Sequence, residues 1–361
     1  MLYFTNFALQ KNYICDIIDE ILCLCVKKGE VKMPDVVSIG EMLVDFTAVE
    51  NENGEIFYKQ NPGGAPANVA VMVSKLGVSS GFIGKLGRDM FGLYLKETLE
   101  KEGVDTKGVI LDSDYSTTLA FVRKNGEERD FVFYRKSSAD LNLNFSEVKK
   151  NLVDECRLLH FGSLLLTAEP SKSAVINTVE YAKQQGKIIT YDPNWREQLW
   201  DSKEDAVKTM RSVLRYVDII KVSELELQIV TECTNLLPGI AELLKTGVKV
   251  VCVTQGAKDC VIATKRGIER FPTFKAETVD TLGAGDSFFG AFISRLVLTG
   301  KTPDELEMSD LRDFAIYANA CGALSSEKVG AIPAMPSHDE IMALIAREKK
   351  PEDGEKNFKQ M

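Results

Sequence analysis

Histidine is almost missing from this chain: His160 and His338 are the two among 361 residues. A zinc site built on imidazole is therefore not expected. The eight cysteines (Cys15, Cys23, Cys25, Cys156, Cys233, Cys252, Cys260, Cys321) contain no CxxC pair to replace it. Cys252, Cys260 and Cys321 lie in apolar stretches and read as reduced core thiols. A basic excess is missing too: 44 lysines and arginines face 53 aspartates and glutamates, a net charge of −9. Such a chain has no basic excess to release counterions from a phosphate backbone, and no nucleic acid partner is expected. No apolar run approaches the roughly 20 residues needed to cross a bilayer. Ile21 to Val26, the longest near the start, falls short of a secretory core of about 7–15. The expectation is a cytoplasmic protein with no membrane partner. With 45% hydrophobic residues, disorder of the whole chain is excluded.

What is there divides into three parts. Residues 1–32 carry three of the eight cysteines and no glycine before Gly29, unlike the text that follows. They read either as a short helical appendage or as an extension upstream of a working start at Met33; the second is favoured, and the segment is left out of the fold. Residues 33–347 are expected to form one domain, and 348–361 a charged, frayed tail. Within the domain, short β-branched runs recur at Val36–Ile39, Ile188–Tyr191, Ile219–Val222, Val250–Thr254 and Cys260–Ala263. Several are apolar nearly throughout, as buried parallel strands are. Between them lie helical patterns. Val207, Met210, Val213, Leu214 and Val217 share one face, and Pro66 and Gly77 bracket a second helix. The fold class predicted is α/β, a layered sandwich around a mainly parallel sheet. Two segments break the alternation. Asn53-Gly54 and Asn125-Gly126 sit in hairpin patterns over about 44–60 and 117–135, predicting a small accessory sheet that is either an edge decoration or a lid.

Three clusters carry candidate chemistry. In Asp280–Ala291 a glycine-rich turn opens an apolar helix. Gly283 and Gly285 let a ligand approach backbone N–H groups, and the helix N-terminus favours an anion. Asp286 would repel a resting phosphate. It fits a phosphoryl group in transfer, with the carboxylate taking a proton from the attacking hydroxyl; an N-cap aspartate is the plainer reading. Asn61–Asn68 (NPGGAPAN) also enters a helix, and Asn68 offers the donor and acceptor that sugar hydroxyls need, although a tight turn and cap explain it equally. Gly81–Gly87 has GxxGxxG spacing, not the dinucleotide GxGxxG, and there is no GxxxxGK[ST] loop. A dinucleotide-dependent dehydrogenase is disfavoured on that ground.

The Gly63–Gly87 and Asp280–Ala291 stretches, in this order, together resemble the two signatures of the ribokinase-like sugar kinases, the phosphofructokinase-B family. The resemblance spans about Met33 to Ile345. FYRKSSADLNL (Phe133–Leu143), YDPNWREQLW (Tyr191–Trp200), KVSELEL (Lys221–Leu227), VTQGAKD (Val253–Asp259) and ANACGALSSEKVGAIP (Ala318–Pro333) follow in order. The combination is most similar to the fructokinases of that family. The resemblance implies a ribokinase-like three-layer sandwich with a β lid and transfer of the ATP γ-phosphate to the 6-hydroxyl of D-fructose. It implies Asp286 as general base and Gly283, Ala284 and Gly285 as the anion hole. Asp45, Gly63, Gly64, Asn68, Arg135 and Arg196 fall on the sugar side, with both arginines at the pocket mouth. Ser223, Thr254, Gly256 and Asn319 fall on the nucleotide side. Glu226 is associated with Mg2+ indirectly. Asp280, Leu282, Ser325, Lys328 and Gly330 correspond to the family's loop for a monovalent cation, K+, and lid pairing implies a homodimer. The sequence departs from the family at Ser223, where the NxxE motif has asparagine, at Asp259, which interrupts a TxGxxG pattern, and at Ala334, where a hydroxyl is found. Two alternatives stay open: 2-keto-3-deoxygluconate kinase, whose substrate carboxylate Arg135 and Arg196 could clamp, and a non-catalytic sugar-binding regulator.

Overall fold

Strands that are apolar almost throughout need cover on both faces, and in the computed structural model they have it. The model describes residues 33–348 except 126 and 127, and side chains except those of 124–130. The unit described begins at Pro34. The expectations for residues 1–32 and, beyond Glu348, for the tail lie outside the described residues.

Nine strands form the main sheet: β1 (Val36–Ile39), β4 (Ser80–Gly87), β5 (Asp105–Asp112), β8 (Leu158–Gly162), β9 (Ile188–Asp192), β10 (Ile219–Ser223), β11 (Val250–Thr254), β12 (Asp259–Thr264) and β13 (Gly267–Pro272). Their order is β13-β12-β11-β10-β9-β8-β1-β4-β5. From β5 to β11 every pairing is parallel, and β12 and β13 add an antiparallel edge. The helices are α1 (Ala65–Lys75), α2 (Met90–Lys101), α3 (Lys150–Glu155), α4 (Ser171–Gln184), α5 (Lys203–Val213), α6 (Glu224–Thr231), α7 (Leu236–Lys245), α8 (Ala284–Thr299), α9 (Met308–Ser326) and α10 (His338–Glu348). On one face α1, α8 and α9 pack on the sheet: Val36, Leu158, Ile188, Ile219 and Val250 join Val69, Phe289, Phe292 and Phe314 in one apolar cluster. Alternate strand residues turn to the other face, where α4 covers β8 and β9, α6 covers β10 and α7 covers β11. The result is a three-layer α/β sandwich. Cys252, Cys260 and Cys321 are buried in it as free thiols.

The two predicted hairpins exist and are one object. β2 (Leu43–Glu50) and β3 (Ile56–Gly63) form the first, with Gly54 at φ 80° in its turn, and β6 (Leu119–Asn125) and β7 (Glu128–Tyr134) the second. β2 pairs in parallel with β6, which gives a four-stranded sheet of order β3-β2-β6-β7. Its inner face carries Leu43, Asp45, Phe131 and Phe133 towards a cavity in the main body. The GxxGxxG run is strand β4, where a Cβ at Gly84 would lie 2.7 Å from the Gly40 carbonyl oxygen. Close packing, not a cofactor, accounts for that glycine.

Candidate active site

Parallel strands release their chains at one edge of the sheet, and loops at that edge gather side chains distant in sequence. A cavity of about 290 Å³ lies there beneath the small sheet. Asp45, Gly64, Asn68, Arg196, Leu282, Gly283, Gly285 and Asp286 line it, together with Glu41, Asn194 and Lys221.

Its floor is the start of α8. Gly283 caps the helix in a left-handed conformation, φ 75°, and a Cβ there would lie 2.6 Å from that of Ala331. Among the described residues, the amides of Gly285 and Asp286 have no backbone acceptor. They are orphan donors at the positive end of a 16-residue helix. Asp286 sits in this first turn, and its Oδ2 accepts a hydrogen bond from Asn68 Nδ2 at 2.7 Å, across 218 residues of chain. Burial pushes the Asp286 carboxyl above its ordinary range, and nearby Glu226 adds to the rise; Asn68, Lys221 and Arg196 oppose it. A carboxylate raised this way and open to a cavity can accept a proton from a hydroxyl held beside it.

The sugar-side expectations divide. Asn68 lines the cavity and keeps Oδ1 buried without a partner. Gly63 is required by Asp45, because a Cβ at 63 would fall inside the Asp45 carboxylate. Gly64 has φ 113°, and a Cβ there would lie 2.5 Å from the Glu41 carbonyl oxygen. Arg196 stands over the Phe131 ring at 5.7 Å and donates to the Trp195 carbonyl at 2.9 Å. Arg135 requires a correction. It does not line the cavity and is 5% exposed. Its Nε and Nη2 both meet Asp140 Oδ2 at 2.8 Å, Nη1 donates to Thr167 Oγ1 at 3.0 Å, and Nη2 to the Leu164 carbonyl at 2.9 Å. With four of its five N–H groups engaged, Arg135 braces the wall behind Leu164.

The remaining expected residues, Leu282 apart, lie outside the cavity lining. Ser223 and Glu226 form a capping box on α6: Glu226 N donates to Ser223 Oγ at 3.2 Å and Ser223 N to Glu226 Oε2 at 2.7 Å. Glu226 Oε1 also accepts from Trp195 N at 2.9 Å. Burial alone would raise Glu226, but Lys221 and these hydrogen bonds hold it below the usual carboxylate range. Thr254 pairs with Ser223 at the strand ends, and Gly256 turns from β11 to β12 with φ 63°. Neither they nor Asn319, whose amide donates to the Phe271 and Pro272 carbonyls at 3.3 and 3.2 Å, belong to the cavity lining. Asp259 pairs with Arg270 at 2.8 Å. Asp280 closes the expected cation loop on itself: Oδ1 accepts from Leu282 N at 2.9 Å and Oδ2 from Gly330 N at 3.0 Å. Ser325 Oγ stays in its helix on the Cys321 carbonyl, and Lys328 Nζ pairs with Glu340 at 3.2 Å. No group of three or more histidine, cysteine, aspartate or glutamate side chains able to hold a metal exists among the described residues.

Three polar residues here had no place in the sequence reading. Lys221, at the end of β10, makes a buried 2.9 Å ion pair with Asp192. Burial opposes its charge, but Asp192, Glu226 and Asp286 outweigh that and hold the ammonium above its ordinary range. Glu41 is 1% exposed; Oε1 accepts from Ala65 N at 3.0 Å and Oε2 is unpartnered. Burial raises its carboxyl to about 8 despite backbone hydrogen bonds and Arg135. The signal was present as GEMLVD and KVSELEL, each an ionisable residue beside a strand's apolar run.

Comparison with known proteins follows this geometry. Residues 33–338 match the pattern of the pfkB family carbohydrate kinase. Fructokinase-1 of Zea mays is 41% identical over 319 residues, which cover 86% of this chain and 98% of that protein. A solved fructokinase of Xylella fastidiosa with bound ATP superposes with a TM-score of 0.80 at 28% identity, covering 88% of this chain and 99% of that one. Fructokinase of Vibrio cholerae O395 in a form with fructose, ADP and calcium bound gives 0.78 at 30%, covering 87% and 99%.

Proposed function

The chain belongs to the pfkB family of carbohydrate kinases, and from that premise we propose that it is a fructokinase, transferring the γ-phosphate of ATP to the 6-hydroxyl of D-fructose. The observation that carries this reading is the Asn68–Asp286 pair at the N-terminus of α8, in a cavity shared with Asp45. Asp45 and Asn68 hold the sugar's hydroxyls. Asp286 takes the proton of the 6-hydroxyl as its oxygen forms a bond to phosphorus. The β,γ-bridging bond breaks with its electron pair, which leaves on ADP. The Gly285 and Asp286 amides face the charge that builds on the phosphoryl oxygens, and Gly283 and Ala284 shape their approach. The small sheet excludes water, so that ATP is not hydrolysed instead.

ATP lies on the Ser223, Thr254, Gly256 and Asn319 side. Mg2+ bound with it would supply neutralisation of the phosphate charge. Glu226 retains lone pairs for a water of that ion, which keeps much of its hydration and needs no full protein ligand set. The loops of Asp280, Leu282, Ser325, Lys328 and Gly330 are assigned to K+. The reduced thiols fit a cytoplasmic location. Ile56, Tyr58, Val132 and Tyr134, all half-exposed or more on the lid's outer face, are the surface for a homodimer.

A coupled assay with ATP, fructose and 2-keto-3-deoxygluconate tests the function. ADP release with fructose supports the proposal, while turnover of the keto acid with fructose ignored overturns it. Arg135 favours fructose, because the clamp that would hold a carboxylate has lost that arm to Asp140. Tight sugar binding without ADP release would make the protein a regulator.

A further inference from the structure

Lys221 has a position that the transfer scheme above leaves without a task. Its Nζ ends directly under the helix turn that receives the phosphate: a Cβ at Gly285 would lie 3.0 Å from Nζ and 3.6 Å from Cε. Glycine at 285 therefore does more than free an amide. It opens the space through which a buried ammonium reaches the cavity wall. An ammonium has three N–H donors. Among the described residues, one hydrogen bond of Nζ is found, to Asp192 Oδ2 at 2.9 Å. Two of its three donors are left over, on a side chain that lines the cavity. Asp192 itself is 1% exposed, at the end of β9 beside β10, so the lysine is anchored from behind by a carboxylate that substrate does not reach.

We infer that Lys221 is a catalytic residue, its ammonium donating hydrogen bonds from beneath Gly285 to the phosphoryl group in transfer. This rests on the kinase reading above. Charge on the phosphoryl oxygens is redistributed as the new oxygen–phosphorus bond forms and the β,γ bond breaks, and an ammonium already in place needs no reorganisation to meet it. Lys221 keeps its proton throughout, because Asp192, Glu226 and Asp286 all stabilise its charge. The competing reading is that it merely offsets these carboxylates and holds the fold.

The test uses Lys221→Met and, because methionine strands a buried Asp192, the double variant Lys221→Met with Asp192→Asn. Both are assayed for kcat, for KM of ATP and sugar, and for affinity towards ADP with and without aluminium fluoride, which mimics the phosphoryl group in flight. The expected result is a fall in kcat of about 10²–10³ in both variants, at little change in KM. Affinity for ADP alone should hold, while affinity for ADP with aluminium fluoride and sugar drops by a similar factor. A purely structural lysine would lower both affinities together, and that result overturns the inference. So does a folded variant with kcat within about threefold of wild type. Wild-type protein that turns over no sugar with ATP overturns the kinase reading and this inference together; active wild type with an equally active variant overturns the inference alone.

Discussion

Replacing Glu41 by Gln should make the protein more stable relative to wild type as the pH rises. The carboxyl of Glu41 is held at about 8 against an ordinary 4.5, with burial the dominant cause. Between those values the folded state keeps a proton that the unfolded chain releases. The raised group thus contributes stability that is fully present below about 4.5 and is lost as the pH climbs to about 8. The slope is about 1.4 kcal/mol per pH unit, so from pH 5 to 7.5 the wild type forfeits about 3 kcal/mol through this group. Glutamine copies the protonated acid. Its carbonyl oxygen can still accept from Ala65 N and its NH2 can point where Oε2 is unpartnered, but it has nothing to ionise. Urea unfolding followed by circular dichroism at several pH values gives the free-energy difference between the two proteins. That difference should move in favour of Glu41→Gln by about 3 kcal/mol over the interval. A difference that is flat with pH, or that moves towards wild type, would refute the reasoning.

Three other outcomes are expected. Asp286→Asn should lower kcat by about 10²–10⁴ while ATP binding, measured by calorimetry, stays intact. Asn68→Ala removes a hydrogen bond that holds the Asp286 carboxyl down. The carboxyl then rises, and the acid limb of the kcat–pH profile should move to higher pH; a shift the other way refutes the assignment. Arg135→Leu takes the cation from buried Asp140, which keeps only the hydroxyls of Thr118 and Ser138, so denaturant unfolding should report a loss of about 3–5 kcal/mol. A loss confined to KM for the sugar, with stability unchanged, would return Arg135 to the substrate.

Five of the nine main-sheet strands were legible because their runs are nearly all apolar, and Val36–Ile39 and Val250–Thr254 end where the pattern ends; β5 and β13, with charged and part-exposed positions, gave no such run. The hairpins announced themselves through Asn-Gly turns, but the parallel β2–β6 pairing that merges them is a long-range contact with no local signature. Around the site, the glycines of 283–285 and Asn68 could be read because backbone geometry limits which residues serve there. Lys221 could not be read the same way. Its meaning depends on Asp192 and Gly285, brought to it by two other elements, β9 and α8. Arg135 illustrates the reverse failure: a charged residue near a motif suggests a ligand, and nothing local says that Thr167 and Leu164 will join Asp140 in occupying four of its five donors.

Asp45 rides on β2 of the small sheet, whereas Asp286 is fixed to α8 in the body. On the proposed function, a sugar that grips both would act as a latch between the small sheet and the body. Its strength is set by the hydroxyls on the end remote from the reacting one. A sugar analogue stripped of those groups should therefore leave the door ajar, and the ratio of free phosphate to phosphorylated product would climb even though the reacting alcohol is unchanged.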